Sequence, residues 1–351
     1  MMTLSQDNKR VDYFDLMKGV CIVLVIISHC CVELKVNIFC DKLNSMLESL
    51  RMPLYFFLSG MFFKEYSSFV DFVIRKFNKL IIPLLFFSVI TVIPKLIVNE
   101  IPCELIAIKR YITWMLKFGG YMWFLRTLFF SNIIYYIYNR CAQRLNLYIR
   151  LLLLFVFVGI GWGVSAIMPL GEYRLDNSYF VNIVAGLMVL PFFYVASTLR
   201  EYLTNVTISA RSILLVFIIS LLTCFLFSNG IVDLKNAYIY NNVLGFYISS
   251  FSAIALCWSG CVVIKKMFYL SFVGRYSIIA YLTHYPIINV IIYLYPHISI
   301  LYLISAVLLL MPLMIWMFKT IFPVFVAQRD IFVCENNKIK VDWSAFSLKK
   351  R

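Results

Sequence analysis

Apolar residues fall in ten runs along the chain, most near the length of about 20 residues that a helix needs to cross the bilayer core, with Ile213–Phe227 short for a span. The runs are Gly19–Val36, Leu47–Phe63, Leu80–Val98, Tyr121–Tyr138, Ile149–Met168, Phe180–Leu199, Ile213–Phe227, Leu244–Ile264, Ser277–Tyr295 and Ile300–Phe322. Backbone polar groups cannot stay open in lipid, so each run predicts a helix. The expectation is an all-α, polytopic integral membrane protein with about ten transmembrane helices. Polar stretches between the runs are short. The longest outer one, residues 99–120, has room for a partial helix. The stretch Pro323–Arg351 is polar and too small for a domain. A single membrane domain, residues 1–351, is expected, with a helical core over 10–322 and a cytoplasmic tail over 323–351. The first run lacks a small-residue cleavage site behind it and reads as a retained span rather than a signal peptide.

Composition sharpens this picture. The 351 residues are 62% hydrophobic and 14% charged, whereas soluble domains are about half apolar and a quarter charged. The formal charge of +15 does not indicate a nucleic-acid partner, because Lys and Arg are scattered between apolar runs and form no basic domain. They read instead as topology signals. With the N-terminus in the cytoplasm, about two-thirds of them fall on that side, the usual bias. Ten spans then return the C-terminus to the cytoplasm. Ten cysteines occur without a C-x-x-C pair, so neither a metal site nor a disulfide framework is expected.

Four patches interrupt the apolar pattern with chemistry. The first helix carries Asp15, Lys18, His29 and Glu33. At 100° per residue Lys18 and His29 lie within about 20° of each other, and Asp15 and Glu33 within about 40° of His29. Lys18 and His29 are about 16 Å apart along the axis. An ionisable stripe in an apolar helix is a functional-site hypothesis, since burying such groups in hydrocarbon is costly. Imidazole moves protons near neutral pH and suits a general base toward a hydroxyl. The bland reading is that Lys18 snorkels to the interface and His29 bonds a neighbouring helix.

The second patch is Arg51-Met52-Pro53-Leu54-Tyr55-Phe56-Phe57-Leu58-Ser59-Gly60. Pro53 fits the first turn of a helix. Ser59 and Gly60 permit close helix contact, and Ser59 is also a candidate to line a cavity. Arg51 falls at the outer interface. The third patch is Tyr121-Met122-Trp123-Phe124-Leu125-Arg126. Trp123 reads as an interfacial anchor. Arg126 lies within the span and needs a carboxylate, a cavity or a polar ligand. The fourth, Gly274 to Pro286, contains Tyr281 and a second intramembrane histidine, His284. His297 falls in a short outer turn and reads as solvated.

These patches together resemble the membrane-bound acyltransferase family 3, which includes O-antigen, exopolysaccharide and Nod-factor O-acetyltransferases. The resemblance rests on a cation, ten residues, then His at Lys18 and His29, with Arg10 and Asp15 as the lead-in. It also rests on the Met52–Gly60 run, on Trp123–Leu125, and on Ser277, Tyr281, Leu282 and His284. One departure stands out: many members have His immediately before Met-Pro-Leu, where this chain has Arg51. The periplasmic hydrolase-like domain that some members append is also not found in the chain.

The resemblance implies transfer of an acetyl group from acetyl-CoA, the acyl donor, to a hydroxyl of a cell-surface polysaccharide or lipid-linked sugar, at the inner or plasma membrane and without a metal. It implies His29, Asp15, Lys18 and His284 as catalytic residues. Arg126, Ser59, Trp123, Glu33, Arg51 and Tyr281 become candidates for substrate binding. Lys18, Arg10, Arg75, Lys76 and Lys79 become candidates for the donor phosphates, the last three from the second cytoplasmic loop. The expected partners are acyl-CoA, a sugar acceptor and membrane lipid. The rival class is a transporter or flippase for a glycan or lipid. A third reading is a structural subunit whose charges pair silently.

Overall fold

The computed structural model describes residues 11–39, 41–66, 68–169, 178–205, 209–228, 232–239, 242–335 and 338–346. Arg10 lies outside the described residues. The first four helices are α1 (Asp12–Leu34), α2 (Asp41–Met61), α3 (Phe69–Lys76) and α4 (Ile82–Ile90). Next come α5 (Val92–Ile97), α6 (Leu105–Phe118), α7 (Trp123–Ala142), α8 (Leu147–Ile167), α9 (Ser178–Met188) and α10 (Leu190–Asn205). The last five are α11 (Ala210–Phe227), α12 (Val243–Ile264), α13 (Phe268–Arg275), α14 (Ser277–Leu294) and α15 (Ile300–Ile321).

All ten apolar runs fold as helix, and the chain is an all-α polytopic membrane protein. Among the described residues, seven helices are long and apolar enough to span a bilayer, or eight when α9 and α10, bent by 42°, count as one. The remaining two runs correspond to α2 and α7. They have 21 and 20 residues, enough to cross, but carry Glu48, Arg51 and Ser59, and Arg126 and Asn132, among their apolar residues. The two helices whose apolar runs are most broken by polar side chains are thus ones that hold candidate chemistry.

Two local expectations are corrected. Pro53 is not in a first turn; α2 begins at Asp41 and runs through it. A proline inside a span is tolerated because neighbouring helices can satisfy the backbone group it leaves open. Arg75, Lys76 and Lys79 are not in a loop. The helix begins at Phe69, where the Ser68 side chain accepts a bond from the Asp71 amide, and it continues to Ile97. Between α3 and α4 it passes through a π-helical turn, Phe77–Ile81, a distortion common where a helix aims functional groups.

The first helix, α1, is central, packing on α2, α12, α13, α14 and α15. Its closest approach is to α13, at Gly19 and Gly274. A Cβ on Gly274 would sit 1.9 Å from the Asp15 carbonyl oxygen, and one on Gly19 1.9 Å from that of Leu270. Only hydrogen fits at either position. Small residues that let backbones meet supply helix association in lipid, where apolar attraction between helices is absent.

Strands β3 (Phe332–Glu335) and β4 (Lys338–Val341) form an antiparallel hairpin packed on α3. Buried Asn78 holds it: its amide donates to the Phe332 carbonyl at 2.7 Å and its oxygen accepts from the Ile331 and Phe332 amides. Two further strands, β1 (Val232–Asp233) and β2 (Tyr238–Ile239), pair antiparallel ahead of α12.

Candidate active site

His29 comes from the C-terminal half of α1 and His284 from α14. Their ring centroids are 5.1 Å apart, with the planes at 49°. His284 is fully buried, and its Nδ1 lies 3.2 Å from the Ala280 carbonyl oxygen. A carbonyl only accepts, so Nδ1 carries the proton and Nε2 is left as an acceptor. That Nε2 is buried and has no hydrogen-bond partner. The histidine pair is framed by aromatic residues. Tyr285 meets His29 edge-on at 5.5 Å and stacks on Tyr121 at 5.0 Å. Tyr285 also donates to Glu33 Oε1 at 2.8 Å, and Tyr281 donates to the Tyr121 carbonyl at 2.6 Å.

His29 faces protein cavities rather than lipid. It lines one of about 460 Å³ together with Glu33, Tyr111, Trp114, Tyr121 and Tyr285. It also lines an adjoining one of about 200 Å³ with Ser28, Glu48, Arg51 and Lys235. Trp123 belongs to both cavities. The larger falls in the size range of small-molecule sites. Of the residues singled out in the sequence, this cleft gathers His29, Glu33, Arg51 and Trp123, with His284 directly behind. Arg51 is paired to Glu48 at 3.5 Å, and its position marks the departure from the family pattern as a feature of the site itself.

A second pocket, of about 160 Å³, collects Arg75, Lys76 and Lys79 with Ser59, Asn132 and Asp330. The first two cations differ in their surroundings: Arg75 pairs with Asp71 at 2.8 Å, and the Lys76 ammonium is 5.5 Å from the Phe72 ring centroid. Lys79 pairs with Asp330 at 3.1 Å. Ser59 and Asn132 exchange side-chain bonds across α2 and α7.

The basic pocket and the His29 cleft share no lining residue, yet the same helices reach both. On α2, Arg51 lines the cleft and Ser59 the pocket, about 12 Å apart along the axis. Tyr55 stands one turn from each. On α7, Trp123 lines the cleft and Leu128 and Asn132 the pocket, with Phe124 between. The Tyr55 and Phe124 rings meet at 5.6 Å, at positions between the cleft and pocket residues along the two helices.

Three expected residues do not line the cleft, although Arg126 borders it beside Trp123 and Lys235. Asp15 is buried against α13, about 21 Å along the helix from His29. The Lys18 ammonium lies 4.7 Å from the Phe62 ring centroid and does not line the basic pocket. Arg126 caps α6: its guanidinium donates to the Lys117 and Phe118 carbonyls at 2.8 and 2.5 Å. Cations suit the carbonyl end of a helix. Gly119, with φ +74°, leaves room for that guanidinium, which a Cβ would meet at 2.5 Å.

The cleft also contains Glu48, Tyr111, Trp114, Lys235 and Tyr285, which sequence reasoning did not select. Tyr285, adjacent to His284, had a signal available; Lys235, on a short connection between β1 and β2, had none.

A family model described as an acyltransferase domain matches residues 11–324. No curated protein and no solved structure gives a significant match.

Proposed function

The chain belongs to this acyltransferase family, membrane acyltransferase family 3, and from that premise we propose that it moves an acetyl group from acetyl-CoA to a hydroxyl of a cell-surface polysaccharide or lipid-linked sugar. The observation that carries the reading is the His29–His284 pair, 5.1 Å between centroids, set into the wall of a cleft.

The chemistry follows from that placement. His29 accepts the acceptor hydroxyl's proton as its oxygen attacks the thioester carbonyl. A carbon–oxygen bond forms, the carbon–sulfur bond breaks, and His29 returns the proton to the departing thiolate, giving the ester and free CoA. His284 is a positioning residue, its fully buried ring packing against the neighbouring imidazole. Three cations gathered at the basic pocket suit the donor's phosphates, as charge-assisted pairs. On the topology expected from Lys and Arg, that pocket faces the cytoplasm and the cleft faces away. Donor and acceptor then approach from opposite sides, and the donor's pantetheine arm reaches the cleft when the Tyr55–Phe124 contact opens.

The test is the mass of the host's surface glycan with and without the protein. The reading expects a difference of one acetyl group on a repeating unit. A glycan of unchanged mass and altered abundance would overturn it in favour of transport.

A further inference from the structure

The cleft does not end at His29. The 460 Å³ and 200 Å³ cavities have His29, Trp123 and Lys235 in common. The smaller then shares Ser28, Glu48 and Arg51 with a third cavity of about 290 Å³. The third also meets the first at Val32, so the three spaces are contiguous, and His29 stands at the junction of the first two. A site for a single small acceptor needs only one of them.

From this we infer that the acceptor is a glycan segment held on both sides of His29, so that the acetylated hydroxyl belongs to a sugar within a chain. The inference rests on the acyltransferase reading above. The two arms have different chemistry. In the larger, the Tyr111 and Trp114 rings lie 25° from parallel with centroids 6.3 Å apart. Trp114 remains 46% exposed, so much of its surface is open to a ligand. A pyranose presents an apolar C–H face and a rim of hydroxyls. Flat aromatic faces take the first. Glu33 and Glu100, in the same cavity, take the second as charge-assisted bonds. In the far arm, Asn37 and Asn44 are joined by a 2.8 Å side-chain bond beside Lys35, a set of donors and acceptors suited to hydroxyls. A lipid chain would need a continuous apolar wall, and the charged side chains of Glu48 and Arg51 interrupt it.

The experiment uses full-length protein in membranes, labelled acetyl-CoA, and the host's own surface polysaccharide, partly hydrolysed and sized from a single sugar upward. The expected result is kcat/KM rising about tenfold or more from the single sugar to a fragment filling both arms, since each aromatic contact adds a fraction of the free energy worth one decade. Trp114→Ala should raise the acceptor KM and flatten the length dependence, with the acetyl-CoA KM unchanged; Trp114→Phe, which keeps a ring, should restore much of it. Acetyl transfer that is equally efficient for every length overturns the inference and leaves the acyltransferase reading standing. Absence of CoA release with every fragment overturns the acyltransferase reading, and the inference with it.

Discussion

The buried His284 Nδ1 lies 3.2 Å from the Ala280 carbonyl, one turn earlier on the same helix. This single bond sets the tautomer of the ring and leaves Nε2 as an acceptor beside His29. It also makes His284 a support for its neighbour rather than a second proton carrier. His284→Gln should then lower kcat by about tenfold, the upper worth of one aromatic ring contact, and leave both KM values near wild type. Steady-state acetyl transfer in membranes checks this.

The basic pocket yields a prediction of opposite kind. Lys76→Ala combined with Lys79→Ala should raise the acetyl-CoA KM by about tenfold or more, because charge-assisted bonds to phosphate are worth about 1.5–3 kcal/mol each. The acceptor KM should not move. Added salt should weaken donor binding in the wild type more than in the double variant, since partly exposed charges are screened. Donor titrations at two ionic strengths give the comparison.

Asp330 places a carboxylate among those cations, 3.1 Å from Lys79. Both side chains are partly exposed, so the pair itself contributes little to stability. Asp330→Asn should free the ammonium for the donor and lower the acetyl-CoA KM by about threefold, within the range of such pairs. The same donor titration reads it.

Helix packing makes a prediction independent of chemistry. Gly274→Ala forces a Cβ to within 1.9 Å of the Asp15 carbonyl oxygen unless α1 and α13 separate. Overpacking of this kind costs about 1–3 kcal/mol, and accumulation and thermal stability in detergent should both fall. Gly260→Ala, where a Cβ meets nothing within 4 Å, should behave as wild type.

Much of the architecture was legible because lipid permits few solutions. A run of apolar residues has to be helix, and the ten runs are. The His29–Glu33 stripe was legible too, since helical periodicity alone puts both residues on one face. What escaped were relationships between helices. Asp15 shares that stripe, but the backbone contact at Gly274 buries it at the other end of α1. Arg126 signals a need for a partner, yet the partner is the carbonyl end of α6, which has no side-chain signature. The Ser68 cap and the π-turn draw Arg75, Lys76 and Lys79 into a helix where charge density suggests a loop. Pro53 misled for a similar reason: its preference for a first turn is local, and packing around α2 overrides it.

The central claim is that His29 is the base for acetyl transfer. The most direct measurement is incubation of membranes containing wild-type or His29→Ala protein, at matched levels, with labelled acetyl-CoA and the host glycan. The account predicts label on the glycan with stoichiometric release of CoA for the wild type, and a loss of about a hundredfold or more for the variant, as expected on removal of a general base. Normal labelling of the glycan by His29→Ala protein would contradict it.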